Sequence, residues 1–116
     1  MQHIPRGHLQ RTPREGWRIM NVRRALLTEA TRLITDERNN QYGPPTQDFD
    51  RTAIMWTAYL DGRRILEAHD VAAMMIILKL SRISWDPTNR DSWVDIAGYS
   101  ACGYECVTYK NKEEQQ

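Results

Sequence analysis

Apolar side chains recur every three or four positions in four separate stretches of the chain, and that spacing predicts four helices. The first runs from near Asn21 to near Arg38. Val22, Leu26, Ala30 and Leu33 line one face, and Leu27 and Ile34 widen it. It stops at Asn39-Asn40-Gln41-Tyr42-Gly43-Pro44-Pro45, where glycine and paired prolines force a stiff, extended turn. Thr46 is the expected N-cap of the second helix, whose apolar set is Phe49, Ala53, Trp56 and Leu60. Asp61-Gly62-Arg63-Arg64 breaks the chain again.

The third helix runs from near Glu67 to near Ile83 and is apolar almost all round. Val71, Met74, Met75 and Leu78 take one side, and Ile76, Ile77, Leu80 and Ile83 take others. A helix of that kind is central or covered by another subunit. After a loop at Trp85-Asp86-Pro87-Thr88-Asn89, the fourth helix runs from about Arg90 to about Tyr109. Gly98 and Gly103 inside it each cost roughly 1 kcal/mol against alanine. With Ala97, Ala101 and Cys102 they make a small-residue surface that admits a close neighbour. No alternating strand pattern competes. The expected fold is an all-α, four-helix bundle-like domain completed by oligomerisation.

A chain of 116 residues is one domain. Residues 1–19 read as a basic, flexible arm, 20–109 as the helical domain and 110–116 as a polar tail. The net charge of +1 excludes a globally basic nucleic-acid binder, so no specific DNA or RNA binding is expected. Charge is nevertheless uneven. Up to Arg24 there are six arginines against one acid, Glu15, which leaves the remainder net acidic. The longest apolar run, Val71 to Leu78, is eight residues, well short of the roughly 20 that span a bilayer. No membrane partner is expected, and the beginning of the sequence lacks a secretion signal. Cys102 and Cys106, four apart on one helix, read as buried reduced thiols of a cytoplasmic protein.

Candidate chemistry lies in the charged and aromatic residues. Lys79 and Arg82, three apart on the third helix, can form a phosphate clamp in which arginine gives a fork and lysine a point charge. A lysine and an arginine near a helix C-terminus also suit the dipole without any ligand. Asp91 and Asp95, four apart, share a face, where like charges repel by roughly 0.2–0.5 kcal/mol. Asp70 and Asp91 each open a helix, a placement the dipole alone favours. Asp95 lies deeper, with Arg82 one candidate partner. Tyr42 can stack on a base beside the rigid turn or seal a bundle end. Tyr99, Tyr104, Trp56 and Trp93 are core candidates. His3, His8 and His69 have no metal-ligand spacing. No phosphate-binding glycine loop or nucleophile triad is present.

From about Leu27 to Cys106 the sequence resembles a family of uncharacterised helical proteins of bacteriophages. The matching stretches are Asp36-Glu37-Arg38 with Tyr42-Gly43-Pro44, then Asp70 to Arg82, then Asp91 to Tyr99. More distantly the layout is similar to the MazG-type all-α nucleotide pyrophosphohydrolases, which hold Mg²⁺ on an E-E-x-x-E helix and an E-x-x-D helix. This chain has no E-E-x-x-E, and Asp48 and Asp50 face different ways.

The resemblances imply a nucleotide ligand, and two expectations follow. In the first, the chain binds a nucleotide without cleaving it and needs no cofactor. Arg38, Lys79 and Arg82 would hold phosphate, and Tyr42, Tyr99 and Asp95 would hold base and ribose. In a phage, acting in the cytoplasm of the infected host, the purpose would be to soak up an immune nucleotide signal as an anti-defence sponge. In the second, it is a Mg²⁺-dependent pyrophosphohydrolase with Asp70, Asp91 and Asp95 as metal ligands. The first is preferred because phosphoryl chemistry of the second kind needs clustered acids around the metal.

Overall fold

The computed structural model describes the backbone of residues 13–114 and most side chains between 21 and 112. Its regular structure is helical throughout, in four rods, so the all-α bundle-like expectation holds. The first rod is composite. Helix α1 spans Pro13–Arg32, a π-helical turn spans Leu33–Glu37, and α2 spans Arg38–Tyr42. Three further helices follow: α3 over Pro45–Tyr59, α4 over Ala68–Trp85 and α5 over Arg90–Glu114.

The first rod departs from expectation at both ends. It begins at Pro13, not near Asn21. Proline suits the first position of a helix because its missing N–H has no intrahelical partner there. The expected flexible arm is therefore helical from Pro13 to residue 19, and its first twelve residues lie outside the described part. In the middle of the rod, the Arg38 N–H bonds to the Leu33 carbonyl five residues back, which opens the helix by one residue. Just before and within this turn, the Thr31 and Thr35 hydroxyls donate to the carbonyls of Leu27 and Thr31 at 2.8 and 2.7 Å. Such back-bonding bends a helix.

The rod turns at Gly43, whose φ of +82° only glycine adopts freely. Thr46 does not cap α3. The chain enters the helix through Pro44, whose carbonyl accepts the N–H groups of Gln47 and Asp48 at 3.0 Å, and the buried Pro45 takes the first position. At the start of α4 the Asp70 carboxylate accepts the Glu67 N–H at 2.9 Å. The Asn89 side chain accepts the Ser92 N–H at 3.1 Å and so opens α5. Helix α5 continues to Glu114, beyond the expected fraying at Lys110.

The core is a seam where α4 and α5 lie antiparallel with α3 against them. Phe49, Ala53, Val71, Ala72, Cys102 and Cys106 are buried in it, with Ile34, Trp56, Met75 and Tyr99 packed on its edge. Both cysteines are free, as expected. Gly103 is the tightest point: a Cβ there would lie 2.8 Å from the Ala72 Cβ. A Cβ on Gly98 would lie 3.0 Å from the Ile34 side chain. The small-residue surface of α5 thus receives α4 on one side and the π-turn on the other. Tyr104 and Leu60, read as core candidates, are exposed, and Trp93 is exposed while donating to the Pro87 carbonyl at 2.9 Å. Among the described residues no helix is long and apolar enough to cross a membrane.

Gly103→Val drives a branched side chain into the Ala72 Cβ. It should lower stability by about 2 kcal/mol, the ordinary cost of overpacking a tight contact. Urea denaturation followed by far-ultraviolet circular dichroism measures this, and an unchanged midpoint would mean the helices are not in this register.

Candidate functional site

The π-turn and α2 stand away from α5 far enough to leave a cleft of about 230 Å³ between them. Ala30, Leu33 and Ile34 form its apolar floor on the first rod, and Val94 and Gly98 form it on α5. Four of the residues read from the sequence as ligand-binding line it together: Arg38, Tyr42, Asp95 and Tyr99. The π-turn accounts for part of this. One extra residue before Arg38 rotates every later side chain by about 100° relative to a continuous α-helix.

Arg38 is the hub. Its side chain is only 15% exposed. The guanidinium lies 4.4 Å from the centre of the Phe49 ring and 6.0 Å from that of Tyr42, within the range of cation–π attraction. Its Nη2 donates to the Asp48 carboxylate, which the glycine-proline turn returns to face it. Nη1 is buried and has no hydrogen-bond partner among the described residues. An orphaned buried donor costs roughly 1–3 kcal/mol, which an acceptor brought by a bound molecule would offset.

Tyr99 completes the aromatic wall, its ring 6.1 Å from Phe49 at a tilt of 34°. Burial pushes its phenol up from the usual range, and the nearby Asp95 carboxylate adds to that. Asp95 pairs with Lys79 at 3.0 Å, not with Arg82. Lys79 is only 12% exposed and is committed to that pair. Arg82 is exposed, does not line the cleft and has no ion-pair partner among the described residues. The three-cation phosphate clamp read from the sequence therefore does not assemble in one chain. Arg38 alone of the three faces the cleft.

The three acids proposed as metal ligands are not brought together either. Asp70 sits in the first turn of α4 and Asp91 in the first turn of α5. The two helices are antiparallel, so these turns lie at opposite ends of the pair, roughly 20 Å apart at 1.5 Å per residue. Asp95 is one turn into α5 and already faces Lys79. A different group does converge. Glu67, His69 and Asp70 present ligand atoms within 4.8 Å of one another. His69, without metal-ligand spacing to another histidine, has its two neighbours in this group two positions before it and one after. Their carboxylates have structural duties, however. Asp70 caps α4, and Glu67 receives the Lys110 ammonium.

Asp48 and Phe49 were not read as site residues. Their role depends on the turn at Gly43-Pro44-Pro45 folding α3 back along α2. The signal available was their position directly after that turn.

Comparison with known proteins follows from this geometry. The model of a family described as a domain of unknown function, DUF6378, matches residues 25–107. This chain belongs to the DUF6378 family. It is 40% identical over 78 residues to the Gene 55 protein of Mycobacterium phage D29, covering 67% of this chain and 50% of that protein. Against the Gene 55 protein of Mycobacterium phage L5 it is 38% identical over 76 residues, covering 66% and 48%. The chain spans about half the length of these curated relatives. No solved structure matches it. The phage family read from the sequence is thus supported. Every residue of the cleft lies inside the DUF6378 match, so the site belongs to the family's domain and not to its ends.

The thiols of the buried core carry a pH signature. Burial pushes the Cys102 thiol up and the Cys106 thiol up to about 11. The folded chain therefore keeps the Cys106 proton at pH values where the unfolded chain releases it. By linkage, the contribution of this thiol to stability is constant below the ordinary thiol range and falls from there to about pH 11. Cys106→Ala should flatten that decline in urea midpoints measured between pH 8 and pH 11. An equally steep decline in the variant would assign it to another group.

Proposed function

We propose that this DUF6378 protein is a non-catalytic binder of a small nucleotide, held in the cleft between the first rod and α5. The observation that carries the reading is the Arg38 guanidinium. Its side chain is 15% exposed, lies against the Phe49 ring beside the cleft, and keeps one buried donor without a partner among the described residues. A planar fork with a spare N–H suits a phosphate or a carbonyl edge. Tyr42 and Tyr99 give flat surfaces for a base, and Asp95 gives an acceptor for a ribose hydroxyl.

Size narrows the ligand. Pockets that enclose a drug-sized molecule span roughly 300–1,000 Å³, and this cleft holds about 230 Å³. One base or one sugar-phosphate enters, with the remainder of the nucleotide at the open rim. Binding without turnover is favoured over pyrophosphohydrolysis because Asp70, Asp91 and Asp95 are dispersed along the α4–α5 pair. Acids spread in that way do not hold a divalent ion against a polyphosphate. For a family with phage-encoded members, the biological reading is sequestration of a host nucleotide signal in the infected cell.

The test is to incubate the purified chain with radiolabelled nucleotides and Mg²⁺, wash, and boil. Recovery of intact nucleotide from the denatured protein is the expected result. Release of monophosphate and pyrophosphate would establish the MazG-like reading instead. Arg38→Lys keeps the charge but loses the fork, and should weaken binding about tenfold or more, as expected for one charge-assisted bond worth roughly 1.5–3 kcal/mol. Arg82→Ala should leave affinity unchanged when both variants are titrated by calorimetry. Loss of binding in Arg82→Ala would place the phosphate on α4 and overturn the assignment to Arg38.

A further inference from the structure

The cleft presents two full charges, and each is matched from outside it. Among the described residues, Arg38 and Asp95 are the charged side chains that line the space. Arg38 is ion-paired with Asp48 of α3. Asp95 is ion-paired with Lys79 of α4 at 3.0 Å. Neither Asp48 nor Lys79 lines the cleft. Both serve as counter-charges to groups that do.

The other lining residues add no charge. Gln41 and Tyr42 are neutral, and the floor is apolar. Burial pushes the Tyr99 phenol and the Cys102 thiol up from their ordinary values, so both keep their protons at neutral pH. Two cations and two carboxylates thus cancel, and the cleft with its immediate surroundings is electroneutral.

We propose that the part of the nucleotide this cleft takes is its uncharged ring, with the phosphate left in solvent at the rim. The proposal rests on the nucleotide reading above and chooses between the two moieties that fit by size. A phosphate that enters a partly dry cleft gives up water, and only a cation free to pair with it offsets that loss. Here the guanidinium already has one carboxylate and the ammonium has another. Asp95 also opposes an anion directly. Its Oδ2 takes Lys79, and its Oδ1 has no partner among the described residues.

A neutral heterocycle meets none of these costs. Its faces suit the Tyr42 and Tyr99 rings, and its apolar area suits the floor. A ring or exocyclic N–H suits the Asp95 carboxylate. The Gln41 side chain is exposed at the cleft and offers an amide donor and an amide acceptor. Such groups read the edge of a base and do nothing for a phosphate's charge. The ligand class is therefore set by the nucleobase, and the free nucleoside carries most of the affinity.

Calorimetry of the full chain against the common ribonucleosides, their 5′-monophosphates, ribose 5-phosphate and inorganic pyrophosphate tests this. A nucleoside is expected to bind within about threefold of its monophosphate, because the phosphate meets no free cation. Ribose 5-phosphate and pyrophosphate are expected to give no heat. Raising NaCl from about 50 mM to about 500 mM should change the monophosphate's affinity less than about twofold, since no exposed ion pair to the ligand is there to be screened. Binding of ribose 5-phosphate and the monophosphates without the nucleosides overturns the inference and leaves the nucleotide reading standing. Silence across the whole panel overturns both. Asp95→Asn removes one negative charge and leaves Lys79 uncompensated. The affinity of a monophosphate relative to its nucleoside should then rise about fivefold or more at low salt and fall back at high salt. That ratio cancels any change in how the ring itself is held. An unchanged ratio in the folded variant overturns the inference; should the variant not fold, the salt series on the native chain decides.

Discussion

One arginine ties the first rod to α3 beside the cleft. The Arg38 guanidinium sits where the first rod, the turn into α3 and α5 meet. It bonds Asp48 and stacks on Phe49, and Phe49 in turn meets Tyr99. A desolvated cation is tolerated only where a counter-charge and polarizable surfaces surround it. That requirement ties α2 to α3 through Asp48 and Phe49, with Arg38 at the wall of the cleft. Asp48 satisfies Nη2, and Nη1 is left over. The proposed nucleotide site rests on that unmet donor.

The second constraint is close approach. Gly103 and Gly98 let α5 touch α4 on one side and the π-turn on the other, with no room for a Cβ at Gly103. The π-turn is what such packing leaves in the first rod. It adds a residue, turns Arg38 toward α3 and opens the space lined by Leu33 and Ile34. Fold and site are thus linked through a single helical irregularity, of the kind that often accompanies function.

The four rods were legible because their apolar residues repeat at the helical period, and the small residues of α5 correctly announced close neighbours. What was not legible depended on register. Nothing in Leu33-Ile34-Thr35-Asp36-Glu37 distinguishes a π-turn from an α-turn, because both have the same propensities and differ by one residue in five. Asp95 was given Arg82 as its candidate partner, but the helix crossing puts Lys79 opposite it. The same displacement removes both Lys79 and Arg82 from the cleft. Tyr42 and Tyr99 were each readable as base-stacking or sealing residues. That they face one cleft with Arg38 is a consequence of tertiary packing which no local pattern carries. Pro44 and Pro45, read as ending the first helix, also start the next one, so proline marked that boundary while concealing its second role.

The most direct test of the nucleotide cleft is a nitrogen-15 NMR titration of the full chain with a panel of nucleoside mono- and diphosphates, following arginine side-chain signals as well as amides. The account predicts that the Arg38 side chain and the amides of Gly98 and Tyr99 shift together in a saturable manner, while Arg82, Asp91 and His69 stay in place. Perturbation confined to the Glu67–Asp70 end of α4, or none across the panel at millimolar ligand, would contradict it.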